Sequence, residues 1–221
     1  MATHTHDGID WAARLEYMRR AVALEAAALS GVAGRLVGEL PAGTATVVDF
    51  GCGAGGMSAA FAAAMRSCGG TLVLVDAVAE LLEAATSEAR SVAGQGVEVR
   101  PVLADAAAEG LAELVPPADL VWASHVLHHL PDELHAAGRL AGLLRQGGRL
   151  ALGEGGLPTR CLPWNLGLGE PGLEHRLEVA GNEWFTAMRE NIPGTVRLPV
   201  GWNLVLAEIG LADLETFSYL V

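Results

Sequence analysis

Thr46-Val47-Val48-Asp49-Phe50-Gly51-Cys52-Gly53-Ala54-Gly55-Gly56 is a short apolar run that breaks into glycines and opens into a helix-forming stretch, Met57 to Arg66. Val47 to Phe50 reads as a buried strand, because an apolar run without alternation suits a strand covered on both faces. Glycines at a strand-to-helix turn let the backbone approach a ligand, and the helix behind them offers unpaired N–H groups. Gly51, Gly53 and Gly56 satisfy G-x-G-x-x-G, which is weak alone in a chain with 28 glycines. Asp49, two residues before the first glycine, and the strand context make the match much more specific.

Outward from this turn the pattern repeats. Thr71 to Asp76 reads as a second strand, followed by a helix from Val78 to about Val92. Val97 to Leu103 and Ala118 to Ser124 supply a third and a fourth strand. Pro131-Asp132 opens a helix expected to run to Gln146 and stop at Gly147-Gly148, before a fifth strand, Arg149 to Glu154. Strands separated by helices mean βαβ units, hence an α/β fold with a doubly wound, mostly parallel sheet in three αβα layers. Upstream, Asp10 is placed to cap a helix carrying Trp11, Leu15, Met18, Val22, Leu29, Val32 and Leu36 at helical spacing. Downstream, Gly155 to Pro199 is an insertion after strand five, rich in Gly and Pro. Leu173, Leu177, Trp184, Phe185 and Met188 predict one helix inside it. A helix over about Trp202 to Ile209 and a sixth strand, Ala212 to Val221, close the sequence, which is expected to lack a further C-terminal strand.

Composition excludes several chemistries. The net charge of −12 leaves no footprint for nucleic acid or an anionic membrane. All basic residues are Arg; without Lys there is no Schiff-base or P-loop lysine. The longest uncharged run, Phe50 to Met65, is too short to span a bilayer. The start, Met1 to Asp7, lacks signal-peptide character. Cys52, Cys68 and Cys161 form neither a disulfide framework nor a metal motif, so reduced thiols and a cytoplasmic location are expected. No metal site is expected.

Three carboxylates end three successive strands: Asp49, Asp76 and Asp105. Asp76 lies about 20 residues beyond the glycines, where a carboxylate accepts hydrogen bonds from ribose hydroxyls, and Asp105 is placed to meet an adenine amino group. With these residues in view, Ala45 to Gly156 and the last helix and strand resemble the class I S-adenosylmethionine-dependent methyltransferases, of small-molecule type. The resemblance implies a Rossmann-like fold and S-adenosylmethionine as cofactor. Asp49, Gly51, Cys52 and Gly53 match the motif that holds the methionine and ribose ends; Asp76 with Ala77 matches the ribose acid, and Asp105 with Ala106 the adenine acid. Asp119 to Leu130, which contains Ser124, is similar to the family's fourth-strand segment. Leu144 to Leu150 resembles the turn into its fifth strand. The family's seventh, antiparallel strand has no residues here.

On this reading the chain is one methyltransferase domain: a helical lid (1–44), a cofactor-binding core (45–154), a substrate-side insertion (155–199), and a last helix and strand (200–221). Tyr17 and Arg20 either contact the cofactor's methionine end or sit on a solvated helix face. His125, His128 and His129 follow the fourth strand; His128 is the candidate general base, against a role in merely shaping the loop. His129, Trp164 and Trp184 are candidates for the acceptor side, the tryptophans alternatively being core. The absence of Asn/Asp-Pro-Pro-Tyr/Phe after strand four and of any Pro-Cys pair speaks against nucleic-acid base methylation. A small-molecule acceptor, no nucleic acid, no membrane, and a monomer or homodimer are expected. An NAD(P)-dependent oxidoreductase and a non-catalytic S-adenosylmethionine-binding protein are the alternatives.

Overall fold

Strands of five to ten residues form one all-parallel sheet in the computed structural model, which describes residues 6–105, 110–154, 160–196, 198 and 200–219. The strands are β1 (Thr46–Phe50), β2 (Gly70–Asp76), β3 (Val97–Leu103), β4 (Ala118–Ser124) and β5 (Leu144–Gly153). Their order is β3-β2-β1-β4-β5, so the winding reverses between β1 and β4. That reversal opens a crevice at the carboxyl ends of the two strands, where folds of this kind bind ligands.

Every residue of β1 is buried, and its side chains alternate between two cores. Val47 faces a layer built from α1 (Leu15–Val37), α2 (Gly56–Ala64) and α3 (Ala79–Val92), with Phe61, Met65, Leu74 and Trp122. Val48 and Phe50 face the opposite layer. It contains Leu111 of the short α4 (Leu111–Leu114), Leu140 of α5 (Glu133–Ala141) and Val205 of α7 (Trp202–Glu208). The insertion contributes α6 (Leu173–Asn191), whose one buried residue is Met188. On the sheet's outer strand β3, the Arg90 guanidinium donates to the Val99 carbonyl at 3.3 Å, and Pro101 occupies the next position of the same orientation.

Three boundaries differ from the sequence expectation. The first helix begins at Leu15; Asp10 instead accepts the Ala13 N–H at 3.0 Å, capping a short 3-10 turn, Ala12–Arg14. Helix α5 ends at Ala141, and β5 begins at Leu144, opposite Ala118. Register then jumps to Leu120 opposite Arg149, so Arg145 to Gly148 form a bulge within the strand. The Arg145 guanidinium, 3.1 Å from Asp119, holds that bulge against β4 and removes the residue from any helix.

The expected sixth strand is absent among the described residues, and residues 220–221 lie outside them. The segment turns at Asp213 (φ 54°) and runs to α1, where Glu215 pairs with Arg35 and the Phe217 ring lies 4.2 Å beneath that guanidinium. Phe217 thereby packs against the core on the α1 side of the sheet.

Candidate functional site

The glycine turn is fastened to the end of β2. The N–H groups of Gly51 and Cys52 both donate to the Val75 carbonyl, at 2.7 and 3.1 Å. Gly51 and Gly53 have φ of 68° and 52°, a region that suits glycine. A Cβ on Gly53 would come within 2.7 Å of the Met18 methyl, and one on Gly51 within 2.3 Å of Val126. The turn therefore presents bare backbone to the crevice.

Asp76 closes this arrangement. Its Oδ2 accepts the Gly53 N–H and its Oδ1 the Val78 N–H, both at 2.9 Å, while the residue is only 7% exposed. Burial raises its pKa above the ordinary value, against the opposing effect of the Val78, Gly53 and Ala77 N–H groups. Asp49 is deeper still. Burial pushes its carboxyl up to about 7, the Ser58 hydroxyl at 2.5 Å opposes that, and nearby Asp76 adds to it. The Cys52 thiol is likewise raised, by burial and then by Asp49 and Asp76, and is no thiolate nucleophile.

Around these groups lies a cavity of about 540 Å³, a volume ordinary for a small-molecule or cofactor site. Asp49, Gly51, Cys52, Gly53, Asp76, Ala77, Asp105 and Ser124 all line it, as do Tyr17 and His129. Ala106 lies outside the described residues. Arg20 is not in the lining; it faces solvent and pairs with Glu16 at 3.2 Å. Trp164 and Trp184 are not in it either. Trp164 packs edge-on against His175 at 5.3 Å, and Trp184 is 51% exposed on α6, which also excludes a core role for it.

The segment before α1 folds across the cavity. His6 Nε2 lies 3.0 and 3.3 Å from the two oxygens of Asp105. The buried Asp7 carboxylate accepts the Ile9 and Trp11 N–H groups at 2.9 and 3.2 Å, and His129 Nδ1 lies 2.8 Å from it. Burial alone would raise Asp7; the His129 hydrogen bond, the Ile9 N–H and the His129 charge outweigh it and bring the carboxyl below its usual range. Trp11 meets the His129 ring edge-on at 5.0 Å.

Beyond β4, His125 adopts φ 55°, an uncommon conformation for a non-glycine residue, and lines the cavity. His128 stands behind the lining, 4.2 Å from the His129 ring and 5.2 Å from Phe185 of α6. Its Nδ1 is 2.5 Å from Glu154 Oε2, while Glu154 Oε1 accepts the N–H groups of Val126 and Leu127 at 2.7 and 2.8 Å. Arg189 of α6 donates to the His128 and Leu130 carbonyls at 2.7 and 2.5 Å and so docks the insertion helix on this loop. Glu154 was not singled out from sequence, although it directly follows β5, a position close to the one Asp76 holds at the end of β2. His6, Asp7 and Trp11 had no local signal. Among the described residues no cluster of His, Cys, Asp or Glu could hold a metal ion.

Residues 48–150 match the family model described as a methyltransferase domain. Over this segment, just under half of the chain, the sequence is thus similar to a methyltransferase domain. A curated relative, 27-O-demethylrifamycin SV methyltransferase of Amycolatopsis mediterranei (strain S699), is 56% identical over 36 residues, 16% of this chain and 13% of that one. Magnesium protoporphyrin IX methyltransferase of Synechocystis PCC 6803 with bound SAH aligns at 20% identity and TM-score 0.52, over 89% of this chain and 78% of that one. The same protein with bound SAM aligns at 25% identity and TM-score 0.42, over 54% of each chain. The chain thus spans about half the length of that last structure and a small part of the curated relative.

Proposed function

We propose that the chain transfers the methyl group of S-adenosylmethionine to a small-molecule acceptor. The observation that carries this reading is Asp76: a buried carboxylate, held by the Gly53 and Val78 N–H groups, lining a cavity at the sheet's reversal point. An acceptor-only group there suits two adjacent ribose hydroxyls. The rest of the cavity suits the remaining parts of such a cofactor. Ala77, Val78, Leu81 and Ala104 offer apolar walls for the adenine, Asp105 a partner for its amino group, and bare glycine backbone a surface for the methionine end.

The cofactor, when bound, supplies an electrophilic methyl group on a sulfonium. This chain's residues have three tasks: to hold the cofactor by Asp76 and the glycine turn, to exclude water, and to align a nucleophile. The strap of His6, Asp7 and Trp11 serves the second by covering the cavity. The name of the curated relative gives 27-O-demethylrifamycin SV as its acceptor, which supports a small organic acceptor here. The acidic surface and the exposed apolar side chains of α6, Leu177, Trp184 and Phe185, support the same class over a nucleic acid.

Calorimetric titration tests the cofactor: S-adenosylhomocysteine should bind and NADH should not, and the reverse result would return the oxidoreductase reading. Incubation with methyl-labelled S-adenosylmethionine and a small-molecule extract should then yield a labelled product. Binding with no labelled product from any extract would favour the non-catalytic reading.

A further inference from the structure

We infer that Glu25 supplies the counter-charge for the ammonium group at the cofactor's methionine end; this rests on the methyl-transfer reading above. The stripe that seats α1 runs Leu15, Met18, Val22, Leu29, Val32 and Leu36, and helical spacing puts position 25 on it, between Val22 and Leu29. Packing would ask for an apolar residue there, yet the position holds a carboxylate. Glu25 is half-buried and lines the cavity.

Of the five carboxylates in the lining, four already have partners. Asp7 holds the Ile9 and Trp11 N–H groups and faces His129, and Asp49 holds the Ser58 hydroxyl. Asp76 holds the Gly53 and Val78 N–H groups, and Asp105 faces His6. Glu25 has neither hydrogen bond nor ion pair among the described residues, and no Arg stands among those that line the cavity. A charge drawn partly out of water without a partner is costly, and a cationic ligand group relieves it. Tyr219 lines the same cavity; burial, then the Glu25 charge, raises its hydroxyl above the ordinary value, so it stays protonated. No hydrogen bond joins the two side chains, which leaves the carboxylate open to a ligand.

The helical neighbours of Glu25 place it over the glycine turn. A Cβ on Gly53 would come within 2.7 Å of Met18, and one on Gly56 within 2.7 Å of Val22 and 3.1 Å of Leu29. This stretch of α1 therefore lies on the turn and on the first residue of α2. A cofactor whose ribose meets Asp76 runs its methionine end along that turn. The ammonium there offers three donors and a positive charge, and an acceptor-only carboxylate satisfies both. Asp49, the acid of the glycine motif, is ill suited to the task. Burial pushes it up to about 7, and it already accepts from Ser58 at 2.5 Å. The counter-charge comes instead from the helix that covers the turn.

The test is calorimetric titration of the full chain with S-adenosylhomocysteine and with its desamino analogue, in which hydrogen replaces the amino group. The wild type should bind the desamino compound at least about tenfold more weakly. Glu25→Gln keeps the shape and removes the charge. It should weaken S-adenosylhomocysteine about tenfold while changing the desamino compound by less than about threefold. A fall shared equally by both ligands would mean that Glu25 only shapes the wall. Unchanged affinity for S-adenosylhomocysteine would mean that Glu25 does not touch the ligand. Either result overturns the inference. Equal binding of the two compounds by the wild type would overturn it too, and that comparison needs no variant to fold. All three results leave the methyl-transfer reading standing, because S-adenosylhomocysteine still binds. Failure of the wild type to bind S-adenosylhomocysteine would instead overturn that reading, and this inference with it.

Discussion

Replacing Asp49 by Asn should stabilise the protein at alkaline pH and do little at acid pH. In the unfolded chain the carboxyl ionises near its ordinary 3.8; in the folded protein burial holds it at about 7. The folded protein therefore keeps a proton that the unfolded chain gives up between those values. The advantage of the neutral carboxyl is complete below the lower pKa and lost as pH rises through the higher one. Three pKa units correspond to roughly 4 kcal/mol, and relaxation around the ionised group makes roughly 2–4 kcal/mol a fair expectation. Asn keeps the shape and can still pair with the Ser58 hydroxyl, which lies 2.5 Å from the carboxylate. For a chain of this length 1 kcal/mol moves Tm by about 2–4 °C. Asp49→Asn should then gain about 5–15 °C near pH 8.5 over wild type, and only a few degrees near pH 5. Thermal unfolding by circular dichroism at both pH values measures this. An equal change at the two, or a loss at alkaline pH, would refute the account of a buried carboxyl ionised against its surroundings.

Other expectations concern ligand and packing. Asp76→Ala should weaken S-adenosylhomocysteine by about 2 kcal/mol or more, roughly thirtyfold, in calorimetry; unchanged affinity in a folded variant would remove Asp76 from the site. Gly53→Val should abolish that binding, since a β-branched side chain meets both φ 52° and the Met18 methyl 2.7 Å away; normal binding would mean that the turn does not cradle the ligand. Trp184→Ala should cost under about 1 kcal/mol, because the side chain is half exposed; a fall in Tm above about 10 °C would show that it is packed after all.

Local chemistry was what the sequence made legible. Val47 to Phe50, the glycines and Asp76 are each decided within a few residues, by burial on both faces of a strand or by the turn that follows it. The misplaced boundaries come from competition at longer range. Leu143 and Leu144 extend the stripe of α5, yet Leu144 pairs with Ala118 and Arg145 is drawn to Asp119. Ala212 to Tyr219 has the composition of a strand, but Arg35 takes Glu215 and Phe217 to α1. The same holds within the candidate site. His6 meets Asp105 across 99 residues and His128 meets Glu154 across 26, pairings that no spacing rule reveals.

The outer strand β3 also bears on how the molecule behaves in a crowded solution. Val99 and Pro101 point their backbone outward; the Val99 carbonyl already accepts from Arg90, and Pro101 has no N–H to offer. A neighbouring chain that tried to add a strand there would find one acceptor occupied and one donor missing. Self-templated sheet growth, the usual hazard of an unpartnered strand, is thereby blocked along this margin. An arginine and a proline, neither near the cavity, guard the domain against aggregation from that side.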